Sequence, residues 1–222
     1  MTTFSERVKV QGRSLWSRNA DKGVSLRGER LRREGKNERR PWNPRTSKLA
    51  SGLLKAEKSG LLPNSGTTCL YLGAGHGTTI SHLHDHLCGP ENKFNGQIIA
   101  VDLSTKCIRS LVLLSKSRPG ILPILSDCRD LISISPFLPK RVPWIFQDVS
   151  QKGQVHIFIK TCKKYLEDGG TGLLSLKSAS ERNTKQAFEE ARKALVNEGF
   201  TIVEQIDLTG WEDKHVLFHV VL

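Results

Sequence analysis

Cys69-Leu70-Tyr71-Leu72-Gly73-Ala74-Gly75-His76-Gly77-Thr78-Thr79-Ile80-Ser81-His82-Leu83 is the stretch that decides how this chain folds. The apolar run 69–72 reads as a short buried strand. Glycines at alternate positions then allow a sharp turn and a close approach of a ligand to the main chain. From Thr78 the pattern reads as a helix start. A strand, a glycine loop and a helix together present unpaired N–H groups to a polar ligand. Alone, such a loop is equally a tight turn in an α/β sheet. Further on, Gln97-Ile98-Ile99-Ala100-Val101 reads as a second strand and ends in Asp102. An acid at that place suits the two hydroxyls of a ribose, so the unit reads as a nucleoside-type cofactor site.

Outward from this unit, strand and helix patterns alternate. Strands are predicted at 68–72, 97–101, 121–125, 143–147, 171–176, 201–206 and 215–221. Helices fit at 78–88, 104–117, about 128–135, 152–166 and 184–198. Gly169-Gly170 and Gly199 read as helix ends. This alternation predicts an α/β fold, a doubly wound and mainly parallel sheet with helices on both faces. The last two strands, with Gly210 between them, read as an antiparallel hairpin. Before the sheet, Ser47 to Lys55 reads as an amphipathic helix with Leu49, Leu53 and Leu54 at helical spacing. Pro41-Trp42-Asn43-Pro44 marks a boundary. It separates a basic region, 1–40, with a capacity for small strands such as Arg7-Val8-Lys9-Val10, from a domain at 41–222.

The chain has 222 residues, 37% of them hydrophobic, enough for one core with a small appendage. No apolar run approaches the roughly 20 residues of a spanning helix, so no membrane role is expected. The opening residues carry no apolar signal region, and an intracellular, cytoplasmic protein is expected. The five cysteines have no CxxC spacing, which reads as free buried thiols. The net charge is +12. Residues 1–50 hold 14 Lys and Arg against 5 Asp and Glu, while the rest is nearly balanced at 20 against 17. A basic end on a near-neutral domain points to a polyanion. Arg27, Arg30, Arg32, Arg33, Arg39 and Arg40 are the expected nucleic-acid contacts; a solvated, partly disordered arm is the other reading. His82 and His86 share the i,i+4 spacing of some metal sites. Only Asp85 and Cys88 lie nearby, so no metal is expected. His82 reads as a polar group near the loop, with His84 and His86 solvated.

In a sheet of this kind the ligand lies beyond the carboxyl ends of the strands. Charged residues follow four successive strands: Asp102, Asp127, Asp148 and Lys177. Asp102 is expected to hold a ribose. Asp127, followed by small Cys128, is expected to touch an adenine amine. Asp148, near the middle of the sheet, could meet both cofactor and substrate.

At this point the chain resembles fibrillarin. Trp42-Asn43-Pro44-Arg45-Thr46-Ser47-Lys48-Leu49-Ala50 is similar to the family's opening segment, and 71–82 to its cofactor loop. Asp148-Val149-Ser150-Gln151, Leu176-Lys177-Ser178 and Asp213-Lys214-His215-Val216 resemble three further motifs. The likeness covers about residue 25 to the C-terminus. It implies a Rossmann-like methyltransferase sheet, S-adenosylmethionine as cofactor, and ribose 2′-O-methylation of rRNA, and of tRNA as a further target, directed by box C/D guide RNA. It implies a Lys-Asp-Lys-His catalytic set at Lys48, Asp148, Lys177 and His215. Cofactor contacts follow at Gly73, Ala74, Thr78, Thr79, Asp102, Leu103, Asp127, Cys128, Asp148 and Gln151. The implied partners are a Nop-family scaffold protein and a kink-turn-binding ribosomal-type protein. The chain departs from the family at Gly75-His76 (usually Ala-Ser), Asp102 (Glu), Cys128 and Ser150 (both Ala). The absence of a Gly/Arg-rich tail resembles the archaeal form; a eukaryotic source would imply the nucleolus.

Methyl transfer from a sulfonium is an in-line displacement whose leaving group departs neutral. The difficulty lies in the nucleophile, a ribose 2′-hydroxyl. A lysine can take its proton only when burial or nearby positive charge lowers its pKa from about 10.4. Lys177 is assigned as base, Asp148 as the group that orients it, Lys48 as charge partner to the ribose-phosphate, and His215 as a supporting contact. Three alternatives remain at this stage. They are a methyltransferase acting on a protein or small molecule, a non-catalytic RNA-binding scaffold, and a nicotinamide-dependent enzyme.

Overall fold

The basic N-terminal residues fold as a sheet. The computed structural model of the chain describes residues 3–138, 140–177 and 184–222, so Ser178 of the third motif lies outside the described residues. Strands β1 (Thr3–Ser5), β2 (Val8–Gln11), β3 (Ser14–Arg18), β4 (Arg32–Glu34) and β5 (Asn37–Trp42) pair antiparallel in the order β1-β2-β3-β5-β4. Cross-strand partners share a face. The rows Val8–Ser17–Arg40 and Val10–Leu15–Trp42 therefore look the same way. Val8, Leu15 and Trp42 are buried in the same core as the helix after the glycine loop. The expected boundary at Pro41 shifts, because β5 runs through Pro41 to Trp42. Strand β4 covers only Asn37 to Arg39. Beyond that point one side of β5 is an edge, where a proline without an N–H is tolerated.

Helix α1 (Lys48–Lys55) leads into a seven-stranded sheet. Its strands are β6 (Thr68–Leu72), β7 (Gln97–Asp102), β8 (Ile121–Leu125), β9 (Val142–Gln147), β10 (Leu166–Lys177), β11 (Thr201–Asp207) and β12 (His215–Val221). They lie in the order β11-β12-β10-β9-β6-β7-β8. The last five in that order are parallel, while β12 is antiparallel to both β10 and β11. The intervening helices are α2 (Thr78–Leu87), α3 (Thr105–Ser117), α4 (Leu131–Ile134), α5 (Gln154–Tyr165) and α6 (Thr184–Asn197).

The two-residue period of the strands divides the core. Cys69, Tyr71, Ile98, Ala100, Trp144 and Phe146 pack with α1, α2 and α3. Leu70, Leu72, Ile99, Val101 and Ile145 pack with α4, α5 and α6. Both faces are covered, which is why these strands read as continuous apolar runs.

Two expected elements differ. The helix expected at about 128–135 is one turn, Leu131–Ile134, capped by Asp130, whose carboxylate accepts from the N–H groups of Ile132 and Ser133. It tightens into a 3-10 turn at Ser135–Phe137, and Cys128 lies in the loop before it. Gly169-Gly170 does not close a helix. Helix α5 stops at Tyr165 because Leu166 turns extended to pair with Val142. The two glycines sit inside β10, where the register against β9 slips between Leu166 and Thr171. Among the described residues no helix is long and apolar enough to cross a membrane.

Candidate active site

The glycine loop after β6 is shaped by contacts that only glycine permits. Gly73 has φ +81°, and a Cβ there would lie 2.1 Å from the Asp148 carbonyl oxygen. Gly75 also has positive φ, but a Cβ there would meet nothing within 4 Å. The first glycine thus lets two strand ends close together, and the second leaves open space above the loop. Gly73 and Ala74 both donate to the Val101 carbonyl (2.9 and 3.1 Å). Asp102 completes the loop. Its Oδ2 accepts from Gly75 N and its Oδ1 from Ser104 N, each at 2.8 Å. Sequence reasoning saw Asp102 only as a ribose acceptor. It also fixes the loop and the start of α3, and each of its oxygens retains a free lone pair.

Beside the loop lies a cleft of about 480 Å³ at the carboxyl ends of β6, β7, β8 and β9. Of the expected cofactor residues, Gly73, Asp102, Leu103, Cys128, Asp148 and Gln151 line it. The others lie off its lining. Ala74 is buried beneath the loop. Thr78 and Thr79 form the first turn of α2, and Thr79 Oγ1 lies 2.9 Å from Ser47 Oγ, turned away toward α1. Asp127 is held by Arg129, whose Nε and Nη2 donate to its two oxygens at 3.0 and 2.6 Å. That bond pulls the Asp127 pKa down to about 2, and its carboxylate is engaged beside the cleft rather than lining it. Cys128 Sγ is 2.9 Å from Gln151 Oε1. Burial pushes its thiol up to about 11, leaving a neutral, nearly apolar wall.

At one end of the cleft stands Asp148. Its backbone N–H donates to Leu72 O (2.9 Å), pinning the end of β9 to that of β6. Lys48 Nζ lies 3.6 Å from Asp148 Oδ2. Lys48 is the first residue of α1. The capping residue before it, Ser47, has its hydroxyl within 3.2 Å of Ala50 N, Trp42 Nε1 and Thr79 Oγ1. That junction ties α1, β5 and α2 together and fixes where Lys48 emerges. Burial raises the Asp148 pKa above the usual 3.8, opposed by Lys48, the Ser175 hydroxyl and His215. Lys177 closes β10 with an exposed side chain, directly opposite His215 of β12. His215 Nδ1 donates to the Asp213 carbonyl at 2.9 Å, which leaves Nε2 free to accept.

Behind the loop lies a cluster that sequence reasoning missed. Asp85, on α2, has no exposed side-chain surface. Its Oδ1 accepts from Arg118 Nη1 (2.6 Å) and Ala20 N (2.9 Å). Its Oδ2 accepts from Arg40 Nη1 (3.0 Å) and Ser17 Oγ (2.7 Å). Having given its one proton to Asp85, Ser17 Oγ accepts from His82 Nδ1 at 2.7 Å, and the His82 ring stacks on Trp42. His84 and His86 are buried, not solvated; they lie against the carbonyls of Pro119 and Pro63. Arg40 and Arg39 are likewise buried, the second bonded to Glu34. They hold the sheet together and cannot be the nucleic-acid contacts expected of them. Arg27, Arg30, Arg32 and Arg33 remain exposed.

Residues 3–222 match the family model for Fibrillarin, beginning well before the point where the motifs become legible. A fibrillarin-like rRNA/tRNA 2′-O-methyltransferase of Thermococcus onnurineus is 38% identical over 92% of this chain and 88% of its own length. The structure is similar to that of Aeropyrum pernix fibrillarin with natively bound S-adenosyl-L-methionine. The TM-score is 0.83 at 31% identity, over 94% of this chain and 89% of that one. It is also similar to a fibrillarin/Nop5p complex, with a TM-score of 0.81 at 29% identity over 97% of each chain.

Proposed function

The chain belongs to the fibrillarin family, and on that premise we propose that it methylates ribose 2′-hydroxyls of rRNA, and of tRNA, under the direction of a box C/D guide RNA. The observation that carries this reading is where the cleft ends. The cleft bounded by Asp102 runs into the Lys48–Asp148 pair, and Lys177 and His215 stand opposed on the neighbouring strands.

S-adenosylmethionine, bound in that cleft, supplies a methyl group carried on a sulfonium. Gly73, Asp102, Leu103, Cys128 and Gln151 would hold it, and the open space above Gly75 fits a ligand lying across the loop. Lys177, exposed at the end of β10 rather than buried, would take the proton of the ribose hydroxyl, with the sulfonium as the nearby positive charge. Asp148 orients the attacking group, Lys48 faces the ribose-phosphate, and His215 presents Nε2 to the same region. Holding the reactants in line contributes much of the rate.

The chain works with a Nop-family scaffold, as the similar fibrillarin/Nop5p complex supports. We extend the assembly to the guide RNA and a kink-turn-binding ribosomal-type protein, and place it in the cytoplasm, or in the nucleolus for a eukaryotic source. The test is calorimetry with S-adenosylmethionine against NAD, followed by transfer of labelled methyl to a guide–target duplex assembled with the scaffold. Cofactor binding without transfer to that assembly would leave the scaffold reading or a methyltransferase acting on a protein or small molecule.

A further inference from the structure

We propose that Arg45 and Trp211 form a stacking subsite for an unpaired RNA base next to the target ribose; the inference rests on the RNA-methylating reading above. The Arg45 guanidinium carbon lies 5.4 Å from the centre of the Trp211 ring. The two residues come from the segments that lead into two members of the catalytic set, Lys48 and His215. Arg45 sits in the 3-10 turn Pro44–Thr46, three residues before Lys48, and its N–H donates to Asn43 Oδ1 at 2.9 Å. Trp211 sits in the β11–β12 connection, four residues before His215, which faces Lys177.

Both positions are held by backbone bonds. Trp211 N donates to Leu208 O at 3.1 Å. Lys55, at the end of α1, donates to the carbonyls of Asp207 (2.8 Å) and Thr209 (2.5 Å), anchoring the connection to the helix that carries Lys48. The pair is thus fixed relative to the reacting groups.

The ring has no place in the core. Trp42 and Trp144 are 1% exposed, whereas Trp211 is half-buried and Arg45 exposed. An aromatic face with a guanidinium against it is the surface on which splayed RNA bases stack. Charges of both signs surround the ring: Arg45, Lys55 and Lys214 stand beside Asp207, Glu212 and Asp213. Asp207 closes β11 and Asp213 lies on the connection, and both carboxylates are turned onto the connection itself, toward Thr209 and Gly210.

The experiment is single-turnover methylation by the assembled guide RNA–scaffold complex, comparing the parent with W211L, W211F and R45Q. Stacking contributes about 1–3 kcal/mol per base, so W211L is expected to weaken target-RNA affinity roughly 5- to 150-fold. Its rate at saturating RNA and its S-adenosylmethionine affinity should stay at parent values, which also reports that the variant folds. W211F should recover most of the affinity, and R45Q should show a smaller drop. Parent-like RNA affinity in W211L, or W211F as weak as W211L, overturns the proposal. Should the parent transfer no methyl, the functional reading fails. The subsite is then decided by fluorescence: target RNA quenches the parent more than W211F if the stack forms, and equally if it does not.

Discussion

Replacing Asp85 with asparagine keeps the shape of the side chain and removes one buried negative charge. Of the two arginines, both with no exposed side-chain surface, Arg40 would keep Glu29, whose Oε1 accepts from its Nε at 2.7 Å, while Arg118 would keep only neutral acceptors such as Asn19 Oδ1 and the Ser81 carbonyl. Breaking a buried ion pair on one side costs about 3–5 kcal/mol, because the remaining charge stays buried. A domain has about 5–15 kcal/mol in total. At about 2–4 °C per kcal/mol for a chain of this size, Tm should fall by roughly 6–20 °C. Urea and thermal melts measure this. Helix α2 opens at the glycine loop, so cofactor affinity should fall as well. Burial disfavours the Asp85 carboxylate, but Arg118 and Arg40 outweigh it and hold its pKa below 3.8. Its contribution is therefore present above the unfolded value and lost only as pH falls through the lower folded one, so the D85N deficit should be undiminished at pH 6. The triple change D85L/R40M/R118M removes the three fully buried charges together, leaving Glu29 and Arg7 nearer the surface, and should be less damaging than D85N. A D85N destabilisation under about 1 kcal/mol, or a triple variant worse than the single one, would refute the account.

Lys177→Met is expected to abolish methyl transfer with cofactor affinity nearly intact. Lys177→Arg should fail too, since a guanidinium keeps its proton; substantial activity in it would move proton abstraction to Asp148. Asp102→Ala should weaken S-adenosylmethionine binding by about 1.5–3 kcal/mol by removing a charged acceptor, and calorimetry showing parent affinity would remove the ribose assignment. Neutralising Arg30, Arg32 and Arg33 should flatten the dependence of log RNA affinity on log salt by up to about 0.9 for each phosphate no longer neutralised; an unchanged slope would free the N-terminal sheet of that role. Burial holds His82 down to about 3 and His84 to about 4, and lowers His86. The unfolded chain takes up these protons from about pH 6.5 downward, so stability should decline below that pH by up to about 1.4 kcal/mol per unit for each histidine. Urea midpoints equal at pH 7 and pH 5 would contradict it.

The sheet was legible because its strands obey a local rule. Cys69 and Tyr71 face one helical layer, Leu70 and Leu72 the other, and both faces need apolar residues. The cleft was legible for a related reason: its lining follows strand ends, and strand ends can be counted. The misread elements turn on non-local pairing. Gly169-Gly170 looks like a helix stop until Leu166 is seen to pair with Val142, after which the same glycines absorb a slip in register. Asp127 remains an expected cofactor contact, with its carboxylate already engaged by Arg129.

The N-terminal charge was misread for a deeper reason. A count of 14 basic against 5 acidic residues treats every charge as solvated. Arg40 is neutralised by Asp85, 45 positions later, and Asp85 by Arg118, 33 positions beyond that. No window of sequence contains such a cluster, and the run His82-Leu83-His84-Asp85-His86 has the composition of a wet helix. It is dry because β3 and β5 present Ser17, Arg40 and Trp42 to it on one face. The sheet that sequence reading left as an appendage is therefore the wall against which α2 packs. Since α2 begins at the glycine loop, the first 42 residues bear on the cofactor cleft through packing. The RNA contact we propose is left to the arginines that remain exposed.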